Sequence, residues 1–269
     1  MVIKQLIEKI EKKIDRTEAF LILEHVLNMP KTEILMMLDK DVDANSIALI
    51  DSMVKRRLKS EPLQYIIHEQ YFYGNRFYIN ENVLIPRADT EILVEEVSKI
   101  VKKNDKVLDL CTGSGCIAIS LKKANPNIDM LASDINPNAL VVAMVNSKIN
   151  KVNVSFVRSN LFENICQKFD IIVSNPPYIK TEDIKFLQKE VRCEPILALD
   201  GGNDGMEFYK KIIISANEFL NTNGLIALEI GYNQAKEVSQ LLVENNYKNL
   251  RIIKDYGNND RVILANKGN

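Results

Sequence analysis

The chain predicts an α/β fold, a mostly parallel sheet covered by helices on both faces and preceded by a small helical bundle. Three observations carry this. From residue 106 onward, short apolar β-type runs alternate with helical patterns. The first run ends in the glycine turn Gly113-Ser114-Gly115, and a later one, residues 169–174, ends in Asn175-Pro176-Pro177-Tyr178. Open α/β sheets bind ligands at the carboxyl ends of their strands, so both segments point to one site.

Residues 1–66 read as helical. Ile3, Leu6, Ile7 and Ile10 recur at helical spacing, and Asp15 can cap a second helix carrying Phe20, Leu21, Leu23 and Leu27. Pro30 suits the first turn of a third helix ending at Met37. A fourth, over about 45–59, places Ile47, Ile50, Val54 and Leu58 on one stripe. Its last turns carry Lys55, Arg56, Arg57 and Lys59, which complement the negative end of the helix dipole. This run reads either as a solvated face or as a contact for RNA or a ribosome-bound partner. Residues 68–80 turn aromatic, and Gly74-Asn75 among them predicts a hairpin at the junction between two domains.

Strands follow at 107–110, 128–133, 154–157, 169–174, 225–230, 250–254 and 261–265. Helices are expected at 116–124, 137–149, 206–220 and 234–244, and Asn258-Asn259 marks a hairpin-like return. The stretch from 175 to 205 is long for a connection, which predicts a functional or locally ordered segment.

Composition narrows the function classes. Apolar residues make up 46% of the 269, enough for an ordinary core. Lys+Arg is 35 against Asp+Glu 36, a net charge of -1, which argues against direct nucleic-acid binding except through a local patch. No apolar run has the length of a membrane span, and the first residues carry no signal-peptide core. Cys111, Cys116, Cys166 and Cys193 form no CxxC pair, so reduced thiols and a cytoplasmic location are expected. With His25 and His68 as the two histidines, a histidine-rich metal site is impossible and no metal is expected.

The tetrad carries the chemistry. Its prolines stiffen the backbone and remove N–H donors, leaving carbonyls free to accept. Such a corner suits a planar NH2 group, as in an amide or an aminopurine. Upstream, the small residues of the glycine turn allow close approach to a ligand. Asp134, at the end of the next strand, is placed to hold the two hydroxyls of an adenosine ribose. No Lys-Ser/Thr follows the glycines, which excludes a phosphate-binding P-loop. The spacing Gly113, Gly115, Ala118 does not itself exclude NAD, but NAD leaves the tetrad without a role. Cys111 and Cys116 read as small buried residues. Arg87 either pairs with Glu91 one turn away or organises the domain junction or the cofactor entrance. Glu194-Pro195 is either a turn or an anchor for the long loop.

Asp109-Leu110-Cys111-Thr112-Gly113-Ser114-Gly115 resembles the first motif of class I methyltransferases that use S-adenosylmethionine, and the tetrad resembles the signature of those acting on amide or exocyclic amino nitrogens. Glu61-Pro62-Leu63-Gln64-Tyr65-Ile66 and Leu84-Ile85-Pro86-Arg87-Ala88-Asp89-Thr90-Glu91 narrow the resemblance to the peptide chain release factor glutamine methyltransferases. So do Glu194-Pro195, Ala198-Leu199, Gly201-Gly202, Asp204-Gly205, Asp255-Tyr256-Gly257-Asn258 and Arg261-Val262. The resemblance implies a helical substrate-recognition domain over 1–66, a β-hairpin linker over 67–86, and a Rossmann-like methyltransferase domain with a seven-stranded sheet over 87–269. It also implies S-adenosylmethionine as cofactor, class I release factors as partners, and N5-methylation of the glutamine in their Gly-Gly-Gln loop. Cofactor contacts are then expected from Asp109, Thr112, Gly113, Gly115, Asp134, Asn160 and Asn175. Asn175, Pro176, Pro177 and Tyr178 are expected to bind substrate. The Asn175 side-chain oxygen and the Pro176 carbonyl would each accept one amide N–H, and Tyr178 would wall the planar amide. Two departures stand out: Ala88-Asp89 where relatives often have Pro-Glu, and Asn160 where many have Asp. The carbonyl of Asn160 can still accept from an adenine amino group. Adenine-N6 methylation of DNA or RNA, or a non-catalytic ribosome- or RNA-binding module, are the alternatives.

Overall fold

The computed structural model describes residues 1–268 and divides into two compact units. The smaller comprises Met1–His68 with Gln188–Cys193. Its helices are α1 (Ile3–Glu11), α2 (Arg16–Leu27), α3 (Lys31–Met36), α4 (Ala44–Arg57) and α5 (Leu63–Ile67). Asp15 caps α2 by accepting from the Thr17 amide at 2.7 Å, and Asp43 caps α4 from the amides of Asn45 and Ser46. Pro30 stands before α3 as its cap residue. The apolar faces close on one core that includes Leu6, Phe20, Leu23, Ile50 and Ile66. The arginines of the basic run are engaged inside this unit. Arg56 pairs with Glu61, and Arg57 with Glu18 at 2.9 Å and Glu190 at 3.0 Å. Lys55 and Lys59 are exposed. Two of the four cations of the run are therefore paired with carboxylates, which reduces the charge an RNA contact would have used.

The larger unit begins with the hairpin β1 (Glu69–Phe72) and β2 (Asn75–Tyr78), paired in antiparallel register. Its turn is Tyr73-Gly74, one residue earlier than the sequence pattern places it. Both have positive φ, +48° and +68°, as the twist of a two-residue hairpin demands. The hairpin packs on the larger unit: the Tyr78 amide donates to Asn146 Oδ1 at 2.6 Å, and Asn150 Nδ2 donates to the Arg76 carbonyl.

The sheet contains β3 (Lys106–Leu110), β4 (Asp129–Asp134), β5 (Ser155–Arg158), β6 (Phe169–Ser174), β7 (Leu220–Glu229), β8 (Tyr247–Lys254) and β9 (Asp260–Lys267), in the order β5-β4-β3-β6-β7-β9-β8. Pairing is parallel from β5 to β7, and β9 runs antiparallel to both its neighbours. The helices are α6 (Ala88–Ser98), α7 (Cys116–Ala124), α8 (Pro137–Ile149), α9 (Ile196–Leu199), α10 (Glu207–Phe219) and α11 (Ala235–Glu244). Tyr209, Ile212 and Ile213 of α10 and Val238 and Leu242 of α11 pack on Leu108, Leu110, Ile172, Ile226 and Leu228. Strand side chains alternate, so Asp109 faces the other way, where its carboxylate meets the start of α7.

Several elements depart from the sequence pattern, among them α6 and β7. α6 fills residues 88–98, for which the sequence pattern names no element; Arg87 before it provides no side-chain cap. β7 begins at Leu220, and the register shift between the Phe169 and Ile171 pairings accommodates the extra residues. The 175–205 stretch is locally ordered by a short turn of helix at Thr181–Phe186, by α9, and by a parallel bridge between Ile179 and Asp200.

Gly201 closes that bridge. Its amide donates to the Ile179 carbonyl at 2.7 Å, and a Cβ there would lie 2.7 Å from Tyr178 Cα and 2.8 Å from its carbonyl carbon. We predict that Gly201→Ala costs about 2 kcal/mol, lowering the melting temperature by roughly 4–8 °C. An unchanged circular-dichroism melt would show that the loop can back away from the tetrad.

Candidate active site

Parallel register builds the site. Leu110 pairs with Ser133 on one side and with Ser174 on the other, so Cys111, Asp134 and Asn175 leave three adjacent strands at one end of the sheet. Ser174 Oγ donates to the Leu110 carbonyl at 2.7 Å, and the Thr112 amide to the Ser133 carbonyl at 2.9 Å. The chain order reverses here: β4 lies on one side of β3 and β6 on the other, which is where such sheets open a crevice.

The glycine turn folds around two carboxylates. Asp109 Oδ2 accepts from Thr112 Oγ1 at 2.6 Å and from the Ala118 amide at 3.2 Å. Asp134 accepts from the Gly113 amide at 2.8 Å and from the Asn136 amide at 2.9 Å. Gly113 has φ +54°, and a Cβ there would find no atom within 4 Å, so its outer side is open. Gly115 serves a different purpose: its Cβ would crowd Ile119 and Ala143, and its bareness lets α7 lie close to α8. Burial pushes the Asp109 carboxyl up to about 7 and raises Asp134 above the usual carboxylate range. Burial likewise raises the Cys111 thiol and pushes Cys116 up to about 12, so neither is a thiolate nucleophile near neutral pH.

A cleft runs across these strand ends. Of the site residues expected from sequence, Gly113, Asp134, Asn160, Asn175 and Pro177 line it, and Cys111, read as a small buried residue, lines it too. Val83, Leu84, Ile135, Leu161 and Phe208 add apolar wall. Asn160 Nδ2 donates to Glu163 at 2.7 Å, which leaves its carbonyl oxygen for an incoming donor. Asp109, Thr112 and Gly115, expected as cofactor contacts, are not among the lining residues: their side chains or close packing are spent on shaping the turn. Pro176 and Tyr178 do not line it either. Pro176 is buried. The Tyr178 hydroxyl turns inward to Glu229 Oε1 at 3.4 Å, so its ring is not a free wall.

Several residues that hold the tetrad carried no sequence expectation. Asn175 Nδ2 donates to Thr90 Oγ1 at 3.2 Å. Gln234 Nε2 donates to the carbonyls of Tyr178 and Gly205, both at 3.1 Å, while its Oε1 accepts from the Gly231 amide at 2.9 Å. Glu229 is wholly buried at the end of β7, and burial pushes it up to about 7. An acidic residue closing an otherwise apolar strand was the available signal for it. Arg87 pairs with Glu194, not with Glu91. Glu194 also accepts from the Ile85 amide at 3.0 Å, and Glu91 accepts from the Tyr73 amide at 2.7 Å. Spacing along one helix could not reveal a partner more than a hundred residues away. Arg261 joins Asp255 at 3.0 Å, Asp89 at 3.4 Å and the Ile230 carbonyl, which ties β9 to α6.

Comparison with known proteins agrees with this geometry. A family model of the methyltransferase small domain matches residues 87–192, and one described as the PrmC N-terminal domain matches residues 2–67. The release factor glutamine methyltransferase of Thermodesulfovibrio yellowstonii is 41% identical over 257 residues, 93% of this chain and 92% of that protein. That of Fusobacterium nucleatum is 46% identical over 234 residues, 85% of this chain, which spans 66% of its length. A methyltransferase from Pyrococcus furiosus superposes with a TM-score of 0.58 at 19% identity, covering 84% of this chain and all of that one, a likeness of fold. Among the described residues, no helix is long and apolar enough to cross a membrane. The chain belongs to the release factor glutamine methyltransferase family, built on the Rossmann-like seven-stranded sheet of class I S-adenosylmethionine-dependent methyltransferases.

Proposed function

We propose that this protein transfers a methyl group from S-adenosylmethionine to the side-chain amide nitrogen of the glutamine in the Gly-Gly-Gln motif of class I peptide chain release factors. The observation that carries the reading is the placement of Asn175 in the same cleft as Gly113 and Asp134. A carboxamide acceptor thus stands beside a pocket suited to an adenosine.

The cleft residues fit that cofactor. Each Asp134 oxygen already holds one amide hydrogen and keeps a lone pair for a ribose hydroxyl. The open side of Gly113 admits a ligand where any side chain would intrude. Asp109 Oδ1 is buried with no partner behind the glycine turn, an acceptor left over by the protein's own hydrogen bonds. Ile135 and Leu161 offer apolar surface to a planar base, and the Asn160 carbonyl can accept from its amino group. When bound, S-adenosylmethionine supplies an electrophilic methyl group on a sulfonium.

The chain's own residues then have to prepare a poor nucleophile. An amide nitrogen shares its lone pair with the carbonyl, and holding both N–H groups turns that pair toward the incoming methyl. The Asn175 side-chain oxygen in the cleft wall is assigned as one acceptor, and as the other the main-chain carbonyl of Pro176, itself buried but placed between the lining residues Asn175 and Pro177. These oxygens would stabilise the positive charge that develops on the substrate nitrogen as it takes the methyl group. The nitrogen becomes acidic only then, so no strong base has to stand beside it. Tyr178 we assign to bracing the tetrad through Glu229, and Pro177 to the wall beside the amide.

The helical unit we assign to recognition of the protein substrate, supported by the match of residues 2–67. Engagement of Arg56 and Arg57 by Glu61, Glu18 and Glu190 weighs against a nucleic-acid track there. A translation factor as substrate places the protein in the cytoplasm.

Incubation with labelled S-adenosylmethionine and unmodified release factor should put one methyl on the Gly-Gly-Gln glutamine, located by mass spectrometry. Label in nucleic acid and none in the release factor would overturn the proposal. Asn175→Ala should lower kcat by about 100-fold or more while cofactor affinity changes little. Asp134→Ala should do the reverse at the binding step, weakening the cofactor dissociation constant by at least about tenfold in calorimetry. Undiminished binding by the Asp134 variant would remove the ribose from that carboxylate.

A further inference from the structure

A glutamine preceded by two glycines offers an enzyme little to recognise. The glycines have no side chains, so the chain beside the reacting amide presents bare backbone: N–H donors, C=O acceptors and a thin strip of Cα surface. A flat, rigid side chain with one polar tip suits such a surface, and tyrosine is enriched at interfaces for that reason.

Two tyrosines stand beside the tetrad at the end of the sheet. Tyr232 follows β7 in the turn before α11, and Tyr256 lies in the turn between β8 and β9. β7 runs parallel to β6, and β9 runs antiparallel to both β7 and β8, so both turns leave the sheet at the same end as Asn175. The Ile230 amide donates to the Arg261 carbonyl at 2.8 Å, and Arg261 Nη1 returns a bond to the Ile230 carbonyl at 3.2 Å. These bonds hold the two turns side by side. The tetrad adjoins the first of them: a Cβ on Gly231 would lie 3.5 Å from Cδ2 of Tyr178.

The fold makes no use of either ring. Tyr232 is 68% exposed and Tyr256 87%, whereas Tyr209 and Tyr247 are buried and their hydroxyls donate to main-chain carbonyls at 2.9 and 3.0 Å. Among the described residues, the Tyr232 and Tyr256 side chains have no hydrogen-bond or ring partner. The backbone beneath them is nevertheless pinned. The Gly231 amide donates to Gln234 Oε1 at 2.9 Å. Asp255 accepts from the Asn259 amide at 2.9 Å and pairs with Arg261 at 3.0 Å, and Arg261 reaches on to Asp89 in the first turn of α6. A ring carried on a pinned turn gives up little freedom when a partner lands on it.

We propose that Tyr232 and Tyr256 form a docking surface for the main chain of the Gly-Gly-Gln loop of release factor, their rings lying against the bare backbone next to the amide held at Asn175. The surface is continuous with the site through Gly231 and Tyr178, and its occupant is the stretch of substrate that arrives with the glutamine. It binds and takes no part in the chemistry. The inference rests on the proposed methylation of that glutamine.

The test uses the full-length protein and unmodified class I release factor. A double variant, Tyr232→Ala with Tyr256→Ala, should raise KM for release factor by about tenfold or more and weaken its binding in calorimetry by a similar factor. kcat and S-adenosylmethionine affinity should stay within about threefold. Tyr→Phe at both positions keeps the rings and should recover most of the binding. Unchanged KM and binding in the alanine variant would overturn the proposal, as would a phenylalanine variant as weak as the alanine one. A loss confined to kcat would also overturn it, because the tyrosines would then be supports of the tetrad. A release factor with alanine in place of the glycine directly before the glutamine tests the occupant. Contacting groups are not additive, so the alanine variant should cost much less on this substrate than on the natural one. An equal penalty on both would move the contact to another part of release factor and overturn the assignment. Binding needs no turnover, so a parent protein that bound release factor without methylating it would count against the proposed function and leave the surface to be judged by calorimetry. Methylation by the parent with undiminished binding by the alanine variant would leave the function standing and overturn the surface.

Discussion

The site depends on the register between β3 and its two parallel neighbours. Leu110 opposite Ser133 and Ser174 brings the glycine turn, the Asp134 carboxylate and the tetrad to one line. A slip of one residue in either pairing would turn every side chain of that strand to the other face. The Ser174 hydroxyl on the Leu110 carbonyl helps hold the register where it matters, at the last residues before the chain leaves the sheet. The alternation places Asp109 toward α7 and Leu108 and Leu110 toward α10 and α11, so one strand serves both the turn and the core.

Two buried carboxyls mark where stability is given up for the site. Asp109 and Glu229 are both fully buried, both are pushed up to about 7 by that burial, and each has one oxygen without a partner. A raised carboxyl favours the folded state most while it is protonated. Their contribution is therefore full below the ordinary carboxylate range and declines as pH rises toward about 7. A core built for stability alone would hold apolar residues at both positions. Their uses differ: Asp109 shapes the glycine turn from behind, and Glu229 receives the Tyr178 hydroxyl of the tetrad.

The tetrad is held from its far side as firmly as from the strand. Gln234 reaches the Tyr178 and Gly205 carbonyls with one amide, and Gly201 and Gly205 approach Tyr178 so closely that a Cβ at either would strike its backbone. Arg87 and Glu194 fasten the same loop, at Glu194, to the segment before α6. The two parts of that connection that belong to the larger unit, 175–187 and 194–205, are in this way drawn against the site.

The chain's local patterns determined much of this protein. Alternating strands and helices, the glycine turn and the Asn-Pro-Pro-Tyr corner are consequences of neighbouring residues, and they were legible without coordinates. So were Gly113, Asp134 and Asn175 as members of one cleft, because the ends of adjacent parallel strands must meet. Only the tertiary structure decided what depends on distant partners. It separated residues that line the cleft from those, such as Asp109 and Tyr178, that brace it from within. It joined Arg87 to Glu194, neutralised Arg57 with Glu18 and Glu190, and set Thr90 against Asn175 and Glu229 against Tyr178. Periodicity reports which face of an element is buried, but a hydrogen-bond partner across the sheet has no signature in the residues on either side of it.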